Sequence, residues 1–309
     1  MRQRLSLNLN IGAGCFVSCP GCYNHFGRGF VEARVILDFL EYIRAFGVAK
    51  LTLGGGDPLT YPDILILLEK IKSKGFYIQL DTVGTPLLDH AQSIFFKRVK
   101  VNKIDARRLS ELVDLIGIPL DGPSSEVIHH FRTMRENIFE EQMGILEILH
   151  HHGAKICINT VVHKLNIGVL HELPKILGNK IKIVKWQFFQ FMPIGPLGYK
   201  NRDVYEISEE AFELFRQELL SMADSDLCRN LEFKKGAERK GNYLFVDSDG
   251  KVWVPNVSLS ESWDKNCDET NQRHIVGDIH NQADYPRIKE WMFNPHAFSF
   301  FAKATSSKK

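Results

Sequence analysis

The chain has 309 residues, and 39 Lys and Arg stand against 37 Asp and Glu, a net charge of +2. That balance gives no general electrostatic case for a nucleic-acid partner, and 44% hydrophobic with 25% charged residues excludes global disorder. No apolar run approaches the roughly 18 residues of a membrane-spanning helix, so the expectation is a cytoplasmic protein with no membrane partner. In chain order, residues 6–11 alternate apolar with polar and read as a first strand rather than a signal peptide. Residues 32–46 carry helical periodicity closed by Gly47, and 49–53 form a second strand running into Gly54-Gly55-Gly56-Asp57-Pro58. A helix over 63–73 precedes a third strand at 76–80, which ends in Asp81-Thr82-Val83-Gly84. A longer crossover, with a helix at 106–113, leads to a fourth strand at 115–120 and to Asp121-Gly122-Pro123. A long helix at 135–150, a strand at 155–162, a helix at 170–177 and a strand at 182–192 follow.

This alternation predicts an α/β fold: a partial (β/α)6 TIM-like barrel over residues 1–200, short of the eight units of a full barrel. Residues 201–309 read as a small α+β extension acting as a cap. Ser208 is placed to cap a helix running to about 222. Residues 243–246 and 251–255 read as a hairpin around Asp247-Ser248-Asp249-Gly250. A polar loop spans 258–273, and the Ser- and Lys-rich end after 303 reads as frayed.

Three of the six cysteines, Cys15, Cys19 and Cys22, fall within eight residues, with C-x3-C-x2-C spacing directly after the first strand. Three thiolates on one loop can ligate three irons of a [4Fe–4S] cube, leaving the fourth iron open for a ligand. A structural Cys3His zinc site with His25 is the other reading of the same spacing. The place of the loop, at the C-terminal end of a barrel strand, favours the cube.

The loop resembles the signature of the radical S-adenosylmethionine (AdoMet) superfamily. The resemblance implies one [4Fe–4S] cluster on Cys15, Cys19 and Cys22, with AdoMet bound to the open iron and cleaved to a 5′-deoxyadenosyl radical. It departs from the pattern at Gly21, where the family usually has an aromatic residue, and Tyr23 follows the third cysteine. Gly55-Gly56-Asp57-Pro58 is similar to the family's Gly-Gly-Glu-Pro motif, which implies that Gly55, Gly56 and Asp57 position the AdoMet amine. Asn159, a polar residue in an apolar strand, is either an adenosine contact or a partner of the backbone. Residues 187–192 are candidates to lie beneath the adenine, whereas Trp186, Phe188, Phe189 and Phe191 read as core.

Cys157 reads as a small buried hydrophobe. Cys228 and Cys267 are too few for a second cluster. By similarity to radical AdoMet epimerases of aminoglycosides and peptides, either one is a candidate hydrogen donor in an epimerisation, the first-choice reaction. The expected partners are a small-molecule or peptide substrate and an electron donor of the flavodoxin or ferredoxin type. Cys19-Pro20-Gly21-Cys22-Tyr23-Asn24 also resembles the activating enzymes of anaerobic ribonucleotide reductase. Residues 158–162 and 186–190 resemble viperin-like nucleotide-modifying enzymes. His129-His130 and His150-His151-His152 read as helix-end cations rather than metal ligands.

Overall fold

The computed structural model describes residues 6–25, 29–95, 98–178, 180–222, 225–239, 243–255 and 273–293. Ten strands form one sheet: β1 (Ser6–Asn10), β2 (Lys50–Gly54), β3 (Tyr77–Asp81), β4 (Leu115–Pro119), β5 (Ile156–Val162), β6 (Ile183–Gln190), β7 (Leu231–Lys234), β8 (Tyr243–Val246), β9 (Lys251–Pro255) and β10 (Arg273–Asp278). Their order is β10-β9-β8-β1-β2-β3-β4-β5-β6-β7. From β8 to β7 every neighbouring pair is parallel, and only β8–β9 and β9–β10 are antiparallel. The six sequential strands β1–β6 are the partial barrel the sequence predicts. Residues after 200 extend the same sheet on both sides, with β7 beside β6 and β8 beside β1.

Strand alternation decides what faces inward. Leu7 and Leu9 of β1, Ile78 and Leu80 of β3, and Ile156 and Ile158 of β5 are buried in the core. Trp186 and Phe188 of β6 are fully buried there as well. Their neighbours Asn8 and Asn10, Gln79 and Asp81, Asn159, and Lys185 and Gln187 line an interior chamber. Helix α1 (Ala33–Arg44) buries Ile36, Phe39, Leu40 and Ile43, and α2 (Ile64–Ser73) buries Ile64, Leu67, Leu68 and Ile71. Both sets follow the i, i+3, i+4, i+7 spacing that puts one apolar stripe on the sheet. Gly47 (φ 83°) and Gly75 (φ 76°) then turn the chain in the left-handed region.

Three differences from the sequence reading have local causes. The expected 135–150 helix is Ile138–His151, because Met134 takes φ 77° and Arg135 turns back to pair with Glu141 at 2.5 and 2.7 Å. A short helix, Ser125–His129, comes first, capped by the Ser124 hydroxyl. Strand β7 was not expected. Phe233 on it stacks on Phe188 and meets Phe212 and Phe215 of the Glu209–Met222 helix, whose Ser208 cap is as expected. No helix among the described residues is long and apolar enough to cross a membrane.

His163, just after β5, is fully buried; it stacks on Phe131 and meets Tyr205 edge-on. Burial, with His130 and Arg132 nearby, pushes its pKa down to about 3 from 6.5. The unfolded chain therefore binds the extra proton first as pH falls through 6.5, and stability drains away as pH drops toward 3. Between pH 7 and 4.5 this group is expected to remove about 2–3 kcal/mol. Urea midpoints of wild type and His163→Phe at both pH values test this. The variant should lose distinctly less on acidification, and equal losses would refute the assignment.

Candidate functional site

A chamber of about 700 Å3 lies within the sheet. Cys15, Cys19 and Cys22 line its wall, together with Gly54, Gly55, Gly56 and Asp57. The cysteine loop is fastened on every side. Gly56 N–H donates to the Gly12 carbonyl (3.0 Å) and Asp57 N–H to the Gly14 carbonyl (2.6 Å). A Cβ on Gly56 would stand 2.0 Å from the Gly14 oxygen, so only glycine permits this backbone approach. Ser18 and Thr133 exchange backbone hydrogen bonds (3.2 and 2.8 Å), and Gly198 N–H donates to the Cys22 carbonyl (3.1 Å). Asn201 Nδ2 donates to the Pro20 carbonyl (2.7 Å).

The Gly21 departure has a steric counterpart. A Cβ there would stand 2.3 Å from Phe131 and 2.9 Å from Phe191, and both of these rings line the chamber. Aromatic side chains from outside the loop fill the room that a side chain at position 21 would need. Phe191 therefore belongs to the chamber wall rather than only to the core, as does Phe189.

Burial raises the pKa of all three cysteine thiols. Cys15 is raised well above its ordinary value, with Asp57 adding to the effect, and Cys22 is pushed up to about 12. Such thiols ionise only when a metal supplies positive charge. At Cys19 the opposing influence is Arg132, whose Nη1 lies 3.6 Å from the sulfur. Arg132 Nε also donates to Asp121 Oδ2 at 2.6 Å, and Asp121 is fully buried. Burial works against the guanidinium charge, but Asp121 and Cys19 more than offset it and hold Arg132 protonated. Arg132 was not picked out from the sequence. Its one signal was a cation between Phe131 and Thr133 in a segment that had no assigned role.

Three soft thiols on one loop, beside a buried cation, fit a thiolate-held iron–sulfur cluster. Among the described residues, which include His25, no three His, Cys, Asp or Glu side chains close around one metal ion. His25 instead packs edge-on against Trp253 of β9, with ring centroids 5.0 Å apart.

Asp57 is placed differently from the ammonium acceptor expected. Its carboxylate takes hydrogen bonds from Leu59 N–H (2.9 Å), Val83 N–H (2.7 Å) and the Thr82 hydroxyl (2.8 and 2.9 Å). It is 1% exposed, and burial raises its pKa to about 6 despite those bonds. It knots the end of β2 to the end of β3. The chamber-lining carboxylate with capacity to spare is Asp81, whose Oδ1 accepts from Gln79 Nε2 (3.1 Å) and Asn159 Nδ2 (3.0 Å). Asn159 thus pairs with a side chain rather than with the backbone. Tyr23 also lines the chamber, tilted against Phe245, and burial raises its phenol pKa.

The remaining cysteines lie apart. Cys157 is buried among polar groups, its sulfur 3.4 Å from Asn159 Oδ1 and 3.6 Å from Gln187 Oε1. Cys228 directs its thiol to the Leu220 carbonyl at 3.8 Å and is not among the chamber-lining residues. Cys267 lies outside the described residues.

Arg132→Met should leave the Asp121 carboxylate buried without its cation and cost about 3–5 kcal/mol. Adding Asp121→Asn should recover part of that loss, and chemical denaturation of the four proteins in the cycle reads it. Strictly additive losses would show that the two side chains do not act as a pair.

The family model described as the radical SAM superfamily matches residues 9–173. A curated relative, the S-adenosylmethionine-dependent nucleotide dehydratase of Flammeovirga pacifica, is 25% identical over 85% of this chain and 93% of its own length. Among solved structures, Streptococcus suis SuiB bound to S-adenosylmethionine superposes with a TM-score of 0.65 at 15% identity, covering 97% of this chain and 68% of SuiB. Native anSMEcpe with bound AdoMet gives a TM-score of 0.63 at 18% identity, over 95% of this chain and 82% of that one. These likenesses show the partial-barrel fold, and the matched segment takes in the end of β1, the cysteine loop, the glycine turn and β2–β5. The chain belongs to the radical SAM superfamily.

Proposed function

We propose that this radical SAM enzyme removes a hydrogen atom from a nucleotide held in its chamber. The observation that carries the reading is the chemistry of the chamber's wall away from the cysteines. Lys50, Lys185, Lys234 and Arg239 all line it, against Asp81 and Glu232. Lys50 opens β2 four residues before Gly54, about 13 Å along the strand. The chamber thus offers thiols and bare glycine backbone at one place and a group of ammonium groups at another. Phosphate oxygens are natural partners for such cations. The name of the Flammeovirga pacifica relative, a nucleotide dehydratase similar along most of the chain, supports the same substrate class.

Cys15, Cys19 and Cys22 are the residues to hold a [4Fe–4S] cluster, with Arg132 offsetting the negative charge of its thiolates. Gly55 and Gly56 let the glycine turn close onto the cysteine loop, and their backbone lines the chamber where AdoMet would lie. Asp81, aimed by Asn159 and Gln79, is the carboxylate available to its ammonium. When bound, the cluster and AdoMet, with one electron from a flavodoxin- or ferredoxin-type donor, supply the 5′-deoxyadenosyl radical of the superfamily. The chain's own part is to hold the reactants together and keep water from the radical, which Phe131, Phe191 and Tyr23 do by walling the chamber. Cys228 is not among the chamber-lining residues, and the cations of the wall favour the nucleotide reading over epimerisation.

Anaerobically reconstituted protein, given reductant, AdoMet and a panel of nucleoside mono-, di- and triphosphates, should form 5′-deoxyadenosine faster with at least one of them. Lys185→Met should raise KM for that nucleotide about tenfold or more, the loss of a charge-assisted contact, with a smaller effect on kcat. A panel in which no nucleotide stimulates 5′-deoxyadenosine formation would overturn the proposal.

A further inference from the structure

Glu232 is the chamber-lining carboxylate that pairs directly with two of the chamber's lysines. Its Oε1 lies 2.8 Å from Lys185 Nζ and its Oε2 2.8 Å from Lys234 Nζ. Gln187 Nε2 donates to Oε2 at 3.0 Å. Burial alone would raise its pKa, but the three hydrogen bonds overcome this and hold it down to about 2, so it is charged at any physiological pH. Lys50 faces the same group. Burial and the repulsion of Lys185 lower its pKa, while Glu232 and Asp81 pull it back up. All six of these residues line the chamber.

Over the wall away from the cysteines, Lys50, Lys185, Lys234 and Arg239 against Glu232 and Asp81 leave +2. The Lys185 and Lys234 ammonium groups each have three N–H donors and spend one on Glu232. The remaining donors of Lys185 and Lys234 are left for a ligand. Glu232 therefore does two things at once. It holds two long, flexible side chains in one place, which lowers the entropy that a ligand must overcome on binding. It also subtracts one charge from the seat, which weakens attraction for every anion, in proportion to the anion's charge.

We propose that Glu232 is a specificity-determining residue that sets how much negative charge the chamber accepts, matching the seat to a dianionic phosphate group rather than to a longer, more charged chain. The inference rests on the nucleotide reading for its biological ligand, but not for its test. A wall at +2 is neutralised by one fully ionised phosphate. A wall at +3 would favour a further phosphate, and a wall without Glu232 would also lose the tether between its lysines. Glu232→Gln removes the charge and keeps one acceptor oxygen, enough to hold one of the two lysines. Glu232→Asp keeps the charge on a shorter arm.

Binding of inorganic phosphate, pyrophosphate and tripolyphosphate to the cluster-loaded enzyme is measured by isothermal titration calorimetry at one fixed ionic strength. Wild type should show little gain from phosphate to tripolyphosphate. Glu232→Gln should bind tripolyphosphate about tenfold more tightly than wild type and phosphate only about threefold more tightly. Glu232→Asp should keep the wild-type order, and Lys185→Met should weaken all three. An unchanged or flattened ranking in Glu232→Gln, with a wild-type thermal midpoint, overturns the proposal. So does binding of all three probes that is indifferent to Lys185→Met. These probes carry no nucleoside. A charge-ranked response together with no turnover of any nucleotide would retain Glu232's role and reject the nucleotide reading.

Discussion

Two bare stretches of backbone lying against each other hold this site together. The loop after β1 carries Gly12 and Gly14, the loop after β2 carries Gly55 and Gly56, and the carbonyls of the first accept from the amides of the second. A side chain on Gly56 would collide with the Gly14 carbonyl, and one on Gly14 would meet the Thr60 hydroxyl at 2.8 Å. Asp57 completes the knot by reaching across to Thr82 and Val83 after β3. The cysteines are therefore presented by a loop whose own position is fixed by neighbouring strand ends, before any cofactor contributes. A site needing its ligands within fractions of an ångström gains most from such support.

The region after residue 200 is part of the same construction. Its strands flank the first and last strands of the partial barrel, and the short connection between β7 and β8 joins the two sides. Within it, Gly236 N–H donates to Gln190 Oε1 (2.8 Å) and Arg239 Nη1 to the Gln190 carbonyl (3.1 Å). The Arg239 guanidinium lies 4.8 Å from the Phe189 ring centroid and 5.6 Å from that of Tyr243, so one side chain touches both sides. The hairpin β8–β9 brings Phe245 and Trp253 behind Tyr23 and His25, with the first pair stacked at 4.5 Å. Extension and cysteine loop therefore share one aromatic interface.

What the sequence made legible, and what it hid, divides along physical lines. Periodicity exposed β1–β6 and the β8–β9 hairpin, because buried and lumen-facing residues alternate with a period of two. It missed β7, whose four residues are all half-buried, so that Leu231-Glu232-Phe233-Lys234 carries too short a pattern. The cysteine loop was readable because three thiols in eight residues have few other uses. Asp57 was readable as important but not in its partners: nothing local says whether a carboxylate after Gly-Gly-Gly turns toward a ligand or toward backbone amides. Arg132 and the three lysines of the chamber come from four separate segments. Only folding brings them together, and each alone looks like an ordinary charged residue.

The pairing of β8 with β1 bears on how the molecule is made. Ser6 to Leu9 find their partners at Tyr243 to Val246, more than 230 positions later. Contacts of such long sequence separation form slowly, so the outer edge of the strand that leads into the cysteine loop is among the last parts of the sheet to be covered.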